Sequence, residues 1–172
     1  MKPASVIRPA RILVIEDNIS DVFLLDRALR KQDFQFELTH LVEGGEALAF
    51  IRRQGAYAGV AIPDLILMDL NLSKYSGEEI LRDIRAAEHL AGVPVCAWSS
   101  SQSRRDQTLL ADLGVARFIS KPSDLDQFMQ IGAIIKNLLA PPGAEGRSAG
   151  VHEEHDEAPR KTDATLRLCQ DR

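Results

Sequence analysis

Cysteine is scarce in this chain: Cys96 and Cys169 are the only two in 172 residues. Two thiols cannot build a disulfide framework, and Cys96 lies inside an apolar, strand-like run, so a reducing cytoplasm is expected. Long apolar runs are lacking too, and none approaches the roughly 18 residues of a membrane span. Behind Met1-Lys2-Pro3-Ala4-Ser5 no apolar core of a secretory signal follows. Positive charge is not in excess: the formal net charge is -4 with 27% charged residues, which argues against a protein that coats nucleic acid. No internal repeat or heptad array is present, which excludes solenoids and coiled coils.

What is present suits one globular domain. The hydrophobic content is 45%, and the length is enough to bury a sizeable core. The chain is organised around Asp64-Leu65-Ile66-Leu67-Met68-Asp69-Leu70-Asn71-Leu72. Residues 65–68 form a short continuous apolar run, as expected of a strand buried on both faces. Asp69 stands where the run ends. An acid there is costly to desolvate without a cation beside it, so Asp69 reads as a metal ligand, a nucleophile, or both.

In chain order, residues 12–15 are a buried strand ending in Glu16-Asp17. Ser20 is the expected N-cap of a helix carrying Val22, Leu25 and Leu29 on one face. Phe36, Leu38 and His40 alternate with Glu37 and Thr39 as a strand does. Gly44-Gly45 opens a helix through Ala47, Leu48 and Ile51 to Arg53, and a loop over 54–63 leads to the organising strand. Ser76-Gly77 precedes a helix with Ile80, Leu81 and Ile84, its first turn carrying Glu78 and Glu79. Residues 93–98 read as a fourth strand ending in Ser99-Ser100-Ser101. A helix over 104–113 stops at Gly114. Phe118-Ile119 is a short fifth strand ending in Ser120-Lys121-Pro122. Ser123 is expected to cap a last helix whose stripe is Leu125, Phe128, Gly132, Ile135 and Leu139. Strand and helix alternate five times, which predicts an α/β fold: a doubly wound parallel sheet of five strands with helices on both faces. From Ala140 onward, large apolar residues almost vanish. The composition divides the chain into an N-terminal arm (1–10), a folded domain (11–140) and a disordered polar tail (141–172).

Four strands therefore end in polar groups: Glu16-Asp17, Asp69, Ser99 and Lys121. In a doubly wound sheet these ends converge on one crevice. Three carboxylates there repel one another strongly, and a hard divalent cation such as Mg²⁺, which prefers oxygen ligands, relieves that repulsion. With the cation in place one carboxylate is spared as a nucleophile, while a lysine and a hydroxyl suit the oxygens of an incoming phosphoryl group. The chemistry this predicts is phosphoryl transfer to Asp69, giving an acyl phosphate.

These residues, in this order and at these strand ends, resemble a response-regulator receiver domain over residues 12–139. The string around Asp69, with the long loop before it, is similar to the regulators that partner phytochromes and related sensor kinases. The resemblance implies a flavodoxin-like fold with strand order 2-1-3-4-5 and phosphorylation of Asp69 by a histidine kinase. It implies direct Mg²⁺ ligation by Asp17, Asp69 and the backbone carbonyl of Asn71, with Glu16 acting through water. Ser99 would hydrogen-bond the phosphoryl oxygen, Lys121 would pair with it, and Phe118 would be the aromatic switch residue. Ser73 departs from the family, which usually has proline there. With no output domain legible, signalling would pass through protein contacts. The surface remodelled by the switch would be formed by the 104–113 helix, the fifth strand and the last helix, whose Phe128 and Ile135 would meet a partner or a second copy in a homodimer.

Blander roles compete for individual residues. Ser100, Ser101 and Ser103 read as loop and cap residues, Trp98 and Cys96 as packing, and His40 and His89 have no catalytic partners. His152-Glu153-Glu154-His155 superficially resembles a metal motif but lacks the order of a zinc-protease signature. Two other functions compete for the whole. One is a phosphatase of the haloacid-dehalogenase type, which wants a second aspartate where Asn71 stands. The other is a docking adaptor that no longer uses phosphate. The leading expectation is a phosphorylatable switch and not a turnover enzyme.

Overall fold

The computed structural model describes residues 8–100 and 111–140. Its strands are β1 (Ala10–Ile15), β2 (Phe36–Leu41), β3 (Leu65–Asp69), β4 (Val95–Ser99) and β5 (Arg117–Ser120). Its helices are α1 (Ile19–Arg30), α2 (Gly44–Ile51), α3 (Gly77–Ala86) and α4 (Leu125–Leu139). The strands form one parallel sheet in the order β2-β1-β3-β4-β5, as expected.

Alternation along each strand sends successive side chains to opposite faces. Leu13, Ile15, Ile66, Met68, Val95 and Ala97 pack with Ala47, Ile51, Ile80 and Ile84 of α2 and α3. Ile12, Val14, Leu65, Leu67, Cys96, Trp98 and Ile119 pack on the other face with Leu25, Leu29, Phe128 and Ile131 of α1 and α4. Both faces of β3 are covered, so all five of its residues are buried. Each large apolar side chain taken from water there contributes about 1.5–3 kcal/mol. β2 is an edge strand and keeps the exposed Glu37 and Thr39.

Several boundaries differ from expectation for identifiable reasons. Asn18, not Ser20, caps α1: its backbone is extended and its side chain accepts from Ser20 N, while Ser20 already lies in the first turn. Asp124 replaces Ser123 as the cap of α4 and accepts from Gln127 N at 3.0 Å. β4 begins at Val95, after Pro94, which has no N–H to donate to a ladder. On α4 the buried stripe is Phe128, Ile131, Gly132 and Ile135, whereas Leu125 is 57% exposed. Phe128 and Ile135 are 3% and 0% exposed, so neither can meet a partner as expected, because α1 and the sheet already cover them. Of the helix expected over 104–113, residues 104–110 lie outside the described residues; Ala111 and Asp112 are helical. The tail at 141–172, with its His152-to-His155 string, also lies outside them.

α1 and α4 pack closely at one point. A Cβ added to Gly132 would collide with the carbonyl of Ala28, and backbone cannot swing aside as a side chain can. Gly132→Ala should therefore destabilise the fold by about 1–3 kcal/mol, although alanine favours a helix more than glycine does. Urea denaturation checks this; an unchanged midpoint would mean that the two helices separate freely.

Candidate functional site

Five elements deliver four charged groups and one hydroxyl to the carboxyl edge of the sheet. Glu16 follows β1, Asp69 ends β3, Ser99 ends β4, Lys121 follows β5, and Asp21 comes from the first turn of α1. Strand alternation directs Asp69 and Lys121 toward the α1/α4 face, on the side of Asp21, and Ser99 toward the α2/α3 face. Glu16, Ser99 and Asp69 are buried, whereas Asp17 is exposed.

Lys121 is the hub. Its Nζ donates to Asp69 Oδ2 at 2.6 Å, to Glu16 Oε2 at 2.7 Å and to Asp21 Oδ2 at 3.0 Å. All three donors of the ammonium are thus directed at carboxylates. The same nitrogen lies 4.7 Å from the centre of the Trp98 ring, within cation–π range. Burial works to lower the Lys121 pKa, but hydrogen bonds to Asp69, Glu16 and Asp21 outweigh it and raise it. Glu16 shifts in the unusual direction for a carboxylate. Burial pushes it up to about 7, with the Asp69 charge adding to the rise and Lys121 opposing it.

The loop after β3 arranges the remaining groups. Asn71 N donates to Asp69 Oδ1 at 2.8 Å, and Asn71 Nδ2 donates to Ser99 Oγ at 2.6 Å. Ser73 N donates to Asp17 Oδ2 at 3.2 Å. Glu16 Oε1 accepts from Asn18 N at 3.1 Å, so both of its carboxylate oxygens are engaged. Glu16, Asp17 and Asp69 each present a carboxylate oxygen, all within 4.8 Å of one another. A set of hard oxygen donors facing one ammonium fits a divalent cation of the Mg²⁺ or Mn²⁺ type. The expected residues Glu16, Asp17, Asp69, Asn71, Ser99 and Lys121 therefore lie together. Phe118 stands apart from the acids: it pairs in register with Ala97 and is half-buried against the α2/α3 cluster.

Two participants were missed from sequence. Asp21 was not singled out, although its position one turn after Asn18, on the side of the helix facing the sheet, was an available signal. Trp98 read as packing, and it does pack edge-on to Phe128 at 5.9 Å, but its face also meets Lys121. Cys96 is buried with its thiol pushed up to about 12 by burial, as expected of an inert residue.

A family model for the response regulator receiver domain matches residues 12–132. The response regulator Rcp1 of Synechocystis sp. is 34% identical over 127 residues, covering 73% of this chain and 86% of that protein. The crystal structure of the phosphorylated cyanobacterial phytochrome response regulator RcpA matches with 36% identity and a TM-score of 0.72, covering 77% of this chain and 94% of that one. The Mn²⁺-bound form of Rcp1 matches at 32% and 0.70, covering 75% and 93%. Among the described residues no helix is long and apolar enough to cross a membrane.

The raised Glu16 pKa has a stability consequence of definite sign. An acid with a folded pKa near 7, above its unfolded 4.5, favours folding less and less as pH climbs from about 4.5 to 7, and the deficit persists above that. In chelator, Glu16→Gln should therefore be more stable than the unaltered chain at pH 8, by on the order of 1–3 kcal/mol. The two should converge near pH 4.5. Urea melts at both pH values test this; a Gln variant weaker at pH 8 would show that the Lys121 bridge outweighs burial.

Proposed function

The chain belongs to the response regulator receiver family, and from that premise we propose that Asp69 accepts a phosphoryl group from the phosphohistidine of a sensor kinase. The observation that carries this is the state of the Asp69 carboxylate. It ends a fully buried strand, with Oδ2 on Lys121 at 2.6 Å and Oδ1 on the Asn71 N–H at 2.8 Å, and Glu16 and Asp17 lie beside it.

In the transfer, an Asp69 oxygen attacks phosphorus in line as the P–N bond to the kinase histidine breaks, leaving an acyl phosphate. Asp17, Asp69 and the Asn71 carbonyl would hold Mg²⁺, with Glu16 acting through water, and the cation would supply positive charge for the phosphoryl oxygens. Lys121 passes from the Asp69 carboxylate to a phosphoryl oxygen and remains a donor throughout, since its pKa is raised. The Trp98 ring beneath Nζ limits where that ammonium can go. The Ser99 hydroxyl donates to another phosphoryl oxygen. The product is a state of the protein, so the role is that of a cytoplasmic signalling switch, not a turnover enzyme. The likeness to RcpA, a phytochrome regulator, supports a kinase of phytochrome type, and the Mn²⁺-bound Rcp1 supports a divalent cation.

The phosphatase reading gives way to the family match, and Asn71 holds the position where its second aspartate is needed. A phosphate-free adaptor would leave the buried charges of Glu16, Asp69 and Lys121 without a use, although such groups are costly to desolvate.

The output follows from strand alternation. Ser99 and Phe118 both point to the α2/α3 face, and Phe118 is half-buried. Drawing Ser99 inward lets Phe118 turn into the space behind it, altering the surface of β5 and α4. A homodimer there would use the exposed face of α4, including Leu125, Gln130 and Lys136, since Phe128 and Ile135 are occupied.

Acetyl phosphate with Mg²⁺ should label the chain, and either Asp69→Asn or chelator should abolish the label; acid-labile incorporation persisting in Asp69→Asn would overturn the assignment. Ser99→Ala should still take up phosphate at Asp69 but respond weakly, in small-angle scattering, to a phosphate mimic. A full response would sever Ser99 and Phe118 from the output.

A further inference from the structure

The loop between β3 and α3 touches three site groups through its own residues, Asn71 reaching Asp69 and Ser99, and Ser73 reaching Asp17. Its two ends are drawn together where a Cβ on Gly77 would fall 2.7 Å from Leu70 Cα. Its outer part is seated against α2. An added Cβ on Gly44 would lie 2.6 Å from the Cβ, Cγ and Cδ2 of Tyr75, and one on Gly45 would lie 3.6 Å from the Tyr75 hydroxyl. Neither glycine has a positive φ, so helical backbone alone does not require them. They leave room for the tyrosine ring, which is nevertheless 37% exposed.

Ser73, where the resemblance leads one to expect proline, differs from proline in chemistry as well as in conformation. Proline has no N–H. In this chain the N–H of residue 73 is the group that donates to Asp17 Oδ2 at 3.2 Å. Asp17 is exposed on the surface, where a short carboxylate rotates readily unless a hydrogen bond restrains it. Partners of this kind orient metal-binding carboxylates.

We propose that Ser73 and Tyr75 are positioning residues for the cation site: Tyr75, seated on Gly44 and Gly45, holds the loop so that the Ser73 N–H orients Asp17 toward the cation. A proline at position 73 would be stiff and offer no donor; this chain uses a donor whose placement depends on an aromatic clamp. The inference rests on the reading of Asp17 as a cation ligand.

The test is a MgCl₂ titration in phosphate-free buffer, read by tryptophan fluorescence. Trp98 is the only tryptophan and lies against Lys121, whose ammonium shares Asp69 and Glu16 with the site. Ser73→Pro, which deletes the N–H, should weaken the apparent Kd about tenfold. Ser73→Ala, which keeps the N–H and loses only the hydroxyl, should stay within about twofold of the unaltered chain. Tyr75→Ala should weaken binding in the same direction as Ser73→Pro, with the melting temperature in chelator changed little. Unchanged Mg²⁺ affinity in Ser73→Pro, or equal damage from Ser73→Ala, would overturn the role of the N–H. If Ser73→Pro does not fold, Tyr75→Ala decides, and undiminished affinity there overturns the clamp. A distinct failure, no Mg²⁺ response in the unaltered chain, would remove the cation site itself and this inference with it.

Discussion

Charge balance around Lys121 is the constraint on which this structure turns. One ammonium on the end of β5 serves Asp69 from β3, Glu16 from the end of β1 and Asp21 from α1. Its side chain is 11% exposed and that of Glu16 is 0% exposed, so water does little of the neutralisation. Coulomb interactions at these distances are several times stronger than in bulk solvent. The arrangement therefore ties three strands and a helix together while leaving the acids in excess. That surplus of negative charge makes the edge receptive to a cation, and the Asp69 charge adds to the rise that burial imposes on the Glu16 pKa. A site whose charges were fully matched would be more stable and less useful.

The rest of the fold serves to bring those groups to one edge. Because β1 and β3 are neighbours while β2 and β4 lie outside them, the chain changes direction of winding between β1 and β3. The carboxyl ends of these two strands flank the crevice that such a reversal opens. Alternation then divides the work between faces. The α1/α4 side carries the ammonium, its aromatic floor and Asp21; the α2/α3 side carries Ser99 and Phe118. The groups proposed to capture the phosphoryl group and those proposed to transmit its effect thus point to opposite faces of the sheet, and Asn71 joins the two sides through its hydrogen bonds to Asp69 and Ser99. Trp98 pairs in register with Asp69, which places the ring under Lys121 for the same geometric reason that Cys96, two residues earlier, is merely core.

Much of this was legible in the chain itself. The apolar runs before Glu16, Asp69 and Ser99 are too short and too continuous for amphipathic helices, and their alternation with helical stripes allows few folds other than a wound parallel sheet. Residues at strand ends inherit their location from that topology, so Glu16, Asp17, Asp69, Ser99 and Lys121 could be grouped without coordinates. Local competition was harder to read. Asn18 and Ser20, like Asp124 and Ser123, are all good caps, and the choice depends on which residue takes an extended backbone, a matter of how the preceding strand enters the helix. The burial of Phe128 and Ile135 depends on where α4 sits against α1, and a helical stripe does not say whether its cover is another helix or a partner.

What the sequence by itself determined is the order of elements, the sheet and the identity of the acids and the lysine, because periodicity and strand-end chemistry are local properties of the chain. What only the tertiary structure decided is how those groups share charge and who holds them in place. Asp21 became a partner of Lys121 through the angle of α1 over the sheet, and Trp98 became its floor through β4–β5 register. Tyr75 met Gly44 and Gly45 across separations of 31 and 30, and the Ser73 N–H met Asp17 across a separation of 56. Contacts between residues so far apart in sequence leave no periodic trace, since they depend on the packed distance between elements and not on the pattern within any one of them.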